Sequence, residues 1–153
     1  MTPENEAKKE YLSRYRWDKV SLEEICKEID ACRANALPGG INYDGMPHGS
    51  GNNSDLSDYA VKYSELLEKL KAKREQLITD LAEISAAIEA VEDPRSNILL
   101  RYRYIQLKDW GDIADAMGYV EDYVRRTLHS RALRDFEIPG QPKDVQQCST
   151  DLC

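Results

Sequence analysis

A chain of 153 residues is one ordinary domain or two small ones, and 41% hydrophobic against 32% charged residues allow a core beneath a heavily solvated surface. The net charge of −7 argues against a protein that coats nucleic acid indiscriminately. No run approaches the ~20 apolar residues of a membrane helix. The opening MTPENEAKKEYLSR lacks the apolar centre of a signal peptide, so a cytoplasmic location is expected. Without a secretory context, Cys26, Cys32, Cys148 and Cys153 are read as reduced thiols rather than a disulfide framework.

The first helix is predicted over about residues 4–36. Leu12, Tyr15, Lys19, Leu22, Cys26, Ile29 and Arg33 recur three or four apart, a stripe with two basic interruptions. Cys26 and Cys32 are taken as small apolar filler near a seam, because no further Cys or His stands at metal-ligand spacing. Residues 35–54, NALPGGINYDGMPHGSGNNS, hold five of the eight glycines, which rules out helix and predicts a long loop. Its MPHGSG core has neither the preceding strand nor the Gly-Lys-Ser/Thr ending of a phosphate-binding loop. His48 has no second His, Cys pair or carboxylate cluster beside it and is read as part of a turn.

Asp55 opens a second long helix to about residue 92. Leu66, Leu70, Leu77, Leu81, Ile84 and Ile88 form its apolar seam, interrupted only around Lys73 and Arg74. At ~1.5 Å per residue such a helix exceeds about 50 Å. A single narrow stripe of that length must pair with the first helix, with a second copy of the chain, or with both. Residues 1–92 are therefore expected to form an antiparallel helical hairpin or coiled coil that binds partners or makes a homodimer.

Residues 93–136 read as three short helices. Asp93-Pro94 is a good N-cap followed by a proline at the first helical position, and Ile98, Leu99, Tyr102 and Ile105 follow at helical spacing. Asp109 is expected to cap the next helix with Asp112 as a partial capping box, and Gly118 to end it. The last helix carries Val124, Leu128, Ala132 and Phe136, each four apart. A helix, a glycine-containing turn and a second basic helix make a helix-turn-helix. The tail over 137–153 has two prolines and no apolar period, so it is expected to be disordered.

These segments together resemble a known family. LLRYRYIQLKDWGDIADAMGYVEDYVRRTLHSRAL is similar to the region-four helix-turn-helix of bacterial sigma factors. The order YLSRYRW, GMPHGSG, an acidic helix ending in VEDPR, then that module resembles the phage and prophage late-gene regulators related to RinA and ArpU. The resemblance spans about residues 10–136. It implies an all-α fold, a long hairpin followed by a three-helix sigma-like module, and a phage-encoded transcription regulator in a bacterial host. Double-stranded DNA and host RNA polymerase are the implied partners. Here Leu128 stands four residues after Val124, where the sigma-like pattern has an apolar residue three after. Either the helix is one residue longer or its DNA face is rotated.

Helical geometry places the DNA face. With Val124, Leu128 and Ala132 inward, Tyr123, Arg126 and Ser130 lie opposite, Arg125 and His129 on one flank and Arg134 on the other. Arg126 is the expected base reader, because Arg binds guanine through two hydrogen bonds. Arg125, Ser130, Arg131 and Arg134 are expected on phosphates, and Lys108 at the front of the second helix. Charge agrees in sign only: residues 1–92 carry 12 Lys/Arg against 18 Asp/Glu, whereas 93–136 carry 8 against 7. Glu121 and Asp122 at the turn repel phosphate. Two other readings stand beside the regulator: a phage assembly or DNA-packaging recognition subunit, and a protein-binding adaptor of RNA polymerase. No nucleophile–base pair or metal-ligand set points to an enzyme, and no cofactor, small-molecule substrate or membrane partner is expected.

Overall fold

Both long helices follow a seven-residue rhythm, and the structure is built on where those rhythms meet. The computed structural model describes residues 1–36 and 53–141. All regular structure there is helical. Helices α1 (Pro3–Ala36) and α2 (Asn53–Glu89) form an antiparallel pair. Then come α3 (Pro94–Leu100), running on into a π-helical turn (Arg101–Ile105), and α4 (Trp110–Met117). The last rod is α5 (Glu121–Tyr123), a second π-helical turn (Val124–Leu128) and α6 (His129–Asp135). The MPHGSG segment with His48, and the tail from residue 142 with Cys148 and Cys153, lie outside the described residues. No helix among the described residues is long and apolar enough to cross a membrane.

The chain divides into two compact units. One is Ser13–Ile84; the other joins Met1–Leu12 to the chain from Ser85 on. In the first unit Ile29, Cys32 and Leu66 form a buried cluster with Ile25, Tyr59, Tyr63 and Leu70 against it. Leu77 and Leu81 are half-buried along the same helix, and Ile84 is fully buried. The inward phase of α1 is Tyr15, Asp18, Leu22, Ile25, Ile29 and Cys32. It shares every other position with the stripe expected from sequence, but Lys19, Cys26 and Arg33 are exposed. Cys26 is thus no seam filler, while Cys32 is.

The physical reason is an ion pair. The chosen phase buries Ile25 and Cys32 in exchange for Asp18, and Asp18 Oδ1 takes Lys73 Nζ at 2.8 Å. The polar break in the α2 stripe and the polar position on α1 are partners. Arg14 reinforces this by pairing with Asp80 and, at 3.1 Å, with Glu83. Burial and the neighbouring Asp80 carboxylate raise the Asp18 carboxyl above its usual range. Burial would raise Asp80 too, but the Arg14 and Asp18 hydrogen bonds and the Arg14 and Lys73 charges together outweigh it and hold that carboxyl low.

The second unit is organised by caps. Asp93 Oδ2 accepts the Ser96 N–H at 3.2 Å with Pro94 next in line, starting α3 as expected. Asn97 Nδ2 donates to the carbonyls of Ile88 (2.9 Å) and Val91 (3.2 Å), tying the end of α2 to α3. At the end of α4, Gly118 takes φ 73°, and the Tyr119 N–H reaches the Ala114 carbonyl at 3.0 Å, closing a Schellman-type stop. Asp109 occupies the N-cap position of α4, but its side chain makes no capping bond, so the expected capping box is not formed. Leu107 adopts φ 56° in the joint before α4, a left-handed conformation that costs a β-carbon about 1–2 kcal/mol. Leu99, Leu100, Ile113, Val124, Ala132, Leu133 and Phe136 are essentially inaccessible to water. Each large one contributes roughly 1.5–3 kcal/mol by burial.

The first turns of α1 belong to this second unit. Thr2 caps the helix through Asn5 N (3.3 Å). The buried Asn5 donates its Nδ2 to the Ser130 carbonyl at 3.5 Å, and the Tyr11 ring packs 6.0 Å from Phe136. The N-terminal residues therefore roof the inner flank of the last rod.

Candidate nucleic-acid interface

The last rod, residues 121–135, buries one side and displays the other. Inside lie Val124, Leu128, His129, Ala132 and Leu133; outside lie Glu121, Asp122, Tyr123, Arg125, Arg126, Thr127, Arg131 and Arg134. The π-helical turn explains how both Leu128 and His129 come to face inward. The His129 N–H bonds to the Val124 carbonyl, five residues back rather than four. The rod thus holds one residue more in that turn than an α-helix would. The extra residue is absorbed locally, so the inward positions are kept on both sides of it.

This overturns one expected contact. On an uninterrupted helix of about 3.6 residues per turn His129 would stand roughly 140° from Val124, on the flank. With the turn closed at five residues it comes back over Val124 and is only 3% exposed. His129 Nε2 lies 2.7 Å from Tyr104 Oη, and Trp110 meets the ring edge-on at 4.8 Å. Burial, with Lys9 and Arg103 nearby, pushes the imidazole down to about 4, so it is neutral at pH 7. Burial also pushes the Tyr104 hydroxyl up. A neutral, buried ring packed against Tyr104 and Trp110 is a core residue and has no route to a DNA groove.

The remaining expected contacts divide by surroundings. Tyr123, Arg125, Arg126, Arg131 and Arg134 are exposed. Ser130 is half-buried under Asn5. Lys108 is half-buried, with its Nζ 4.2 Å over the Tyr102 ring, and its carbonyl accepts Arg103 Nη1 at 2.9 Å. Trp110 packs within the module, against His129 and with the Arg103 guanidinium 4.4 Å over its ring.

Two features were not anticipated. Asp122 is the partner of two arginines, taking Arg126 Nε at 2.8 Å and Arg125 Nη2 at 3.3 Å on the same oxygen. Its signal was present in the spacing: an acid four residues before a base is a favourable helical pair. The turn also exposes an apolar patch, with Tyr119 37%, Val120 73% and Tyr123 45% accessible and the two rings 5.6 Å apart. Exposed carboxylates of Asp112, Asp115 and Glu121 belong to the same helix-turn-helix segment. Among the described residues no group of His, Cys, Asp and Glu is placed to hold a metal ion.

Comparison with known proteins returned no matching family model, no matching curated protein and no matching solved structure.

Proposed function

We propose that this chain is a DNA-binding transcription regulator of phage or prophage origin, of the kind related to RinA and ArpU, which reads duplex DNA with residues 121–135. The observation that carries this reading is the division of that rod. Its apolar side is wholly committed to the core, while Arg125, Arg126, Arg131 and Arg134 stand in water on the other. The Gly118 stop sets a short helix and a tight turn directly before it, the arrangement in which a second helix enters the major groove. Arg126 reads a base edge, and Arg131 and Arg134 hold phosphates.

The hairpin serves to join two copies. On α2, Leu67 (40% exposed) and Ile78 (61% exposed) flank Lys71, Arg74 and Glu75 on one groove-lined face. Lys71 and Glu75 are four residues apart, so two antiparallel copies of α2 satisfy each other's charges across a two-fold axis. Two weakly basic modules then share one effective concentration on DNA.

The test is binding of the purified chain to fragments of its own genomic neighbourhood at two salt concentrations, with random duplex as competitor. A sequence-selective shift that weakens with salt supports the reading. Loss of about ten- to a hundredfold in discrimination on Arg126→Ala ties it to the assigned rod. The exposed Tyr119–Val120–Tyr123 patch favours a second reading, an adaptor that docks on a protein such as host RNA polymerase. Absence of any shift at any salt, with capture of polymerase from host lysate, selects that one.

A further inference from the structure

Asp122 sits one helical turn before Arg126 and holds it through a single contact, Nε to Oδ1 at 2.8 Å. Arg125 Nη2 adds a longer contact, 3.3 Å, to the same oxygen. The three side chains are 60%, 71% and 50% exposed in the order Asp122, Arg126, Arg125. At such exposure an ion pair adds little to fold stability, because water screens it and ordering two side chains opposes it. Its effect on the rod is geometric.

A guanidinium carries five N–H donors in a rigid plane: one on Nε and four on the terminal nitrogens. Ion pairing at Nε draws the head group toward Asp122 while leaving both terminal nitrogens for another partner. A guanine edge in the major groove presents two adjacent acceptors, O6 and N7, matched to two such donors. An Arg already held by its Nε loses less rotamer freedom on reaching that edge than a loose one. Arg125, Arg126 and Thr127 all lie in the π-helical turn, and all three are exposed. The Asp122 carboxylate also repels phosphates, so it weakens binding wherever no guanine compensates.

We propose that Asp122 is a positioning residue for base recognition: it holds Arg126 by Nε so that the two terminal nitrogens meet O6 and N7 of a guanine in the major groove. The inference rests on the DNA-binding reading above. It deepens that reading by naming the base and the residue that orients its reader. Discrimination then arises from two directions. Asp122 makes the guanine contact better and every other contact worse.

The experiment selects duplexes from a randomised library with the full chain, then compares the wild type with Asp122→Asn, Asp122→Glu and Arg126→Ala. The probes are the selected duplex, a duplex with 7-deazaguanine at the selected guanine, and a random duplex. The deaza base removes only the N7 acceptor. The expected result is a guanine in the selected site and a tenfold or greater loss on 7-deazaguanine for the wild type. Asp122→Asn should fall to within about threefold on that substitution while binding random duplex as tightly or more tightly. Asp122→Glu, which keeps a carboxylate one bond further out, should recover part of the discrimination.

Three outcomes overturn the assignment. If Asp122→Asn keeps the full 7-deazaguanine penalty, Asp122 acts only by repelling DNA. If it lowers the melting temperature and leaves base preference alone, the pair is a helix brace. A selected site without guanine, or one indifferent to Arg126→Ala, removes the reader itself. Failure of the wild type to bind any duplex at any salt defeats the DNA-binding reading as a whole, and is distinguished from the others by the random-duplex arm.

Discussion

Tyr104 Oη and His129 Nε2 lie 2.7 Å apart in the core of the C-terminal unit, and each sits at a π-helical turn: Tyr104 within the first, His129 directly after the second. The two irregular turns of the module are thus joined through one buried polar contact.

A pH dependence follows from that pair. His129 is held at about 4, below its ordinary 6.5. Above pH 6.5 neither folded nor unfolded chain carries the proton, and stability is unaffected. As pH falls from 6.5 toward 4 the unfolded chain takes up a proton that the folded chain refuses, so stability declines over that window. Between pH 7 and pH 5 the loss is on the order of 2 kcal/mol. Urea midpoints at the two pH values measure it. His129→Gln should flatten that difference; an unchanged slope in the variant would show that other groups carry it.

Deleting Thr127 should remove the second π-helical turn without removing the fold. Thr127 is exposed and lies within that turn, and its loss leaves Val124 and the following leucine three apart, ordinary helical spacing. The expected change in melting temperature is within about 4–8 °C, equivalent to 1 kcal/mol. DNA discrimination should be lost, because Arg125 and Arg126 change height and azimuth relative to the rest of the rod. A deletion variant that keeps its base preference would show that the turn is merely tolerated.

In the hairpin, breaking and replacing the Asp18–Lys73 pair should have opposite effects. Asp18→Ala strands a half-buried Lys73 and should destabilise by roughly 2 kcal/mol, less than the 3–5 of a fully buried pair because Lys73 retains some water. The double variant Asp18→Leu with Lys73→Leu should be neutral or more stable by about 1–4 kcal/mol. Chemical denaturation of all three chains checks both. A double variant as weak as the single one would mean that the seam cannot repack around leucine.

Much of this architecture was legible. Heptad-like stripes announced the two long helices, Asp93-Pro94 marked one helix start, and Gly118 marked a stop. What escaped depends on tertiary partners or on hydrogen bonds that leave no period. Asp18 stands outside the stripe read from sequence, and its partner, Lys73, stands 55 positions away. The π-helical turn could only be suspected from a four-residue step between Val124 and Leu128, which an ordinary helix also permits. Its consequence, the inward rotation of His129, required the backbone itself. Asn5 and Tyr11 over the last rod carry no local signal at all, since those contacts are set by how the helices pack.

Dimerisation through α2 predicts that Ile78→Asp converts the chain to a monomer. Ile78 is 61% exposed, so the substitution leaves the hairpin core intact. In a self-associated face it places an unpaired carboxylate at an apolar contact. Light scattering on wild type and variant reads the mass directly, and helicity confirms the fold. A wild type that is already monomeric at working concentration would remove the proposed interface.

The arginines of the last rod should separate by salt dependence. A phosphate contact contributes about 0.9 to the slope of log affinity against log salt, whatever the sequence bound. Arg134 makes no ion pair among the described residues, so Arg134→Gln should reduce that slope by nearly the full amount and weaken selected and random duplexes alike. Asp93, held low chiefly by its Ser96 hydrogen bonds, also feels the Arg131 charge, so Arg131 should contribute slightly less than Arg134. Arg126→Ala should differ from both, losing discrimination between sequences with a smaller change in slope. If all three variants changed slope and discrimination in proportion, the rod would be a generic cationic strip, and the assignment of Arg126 to a base edge would fail.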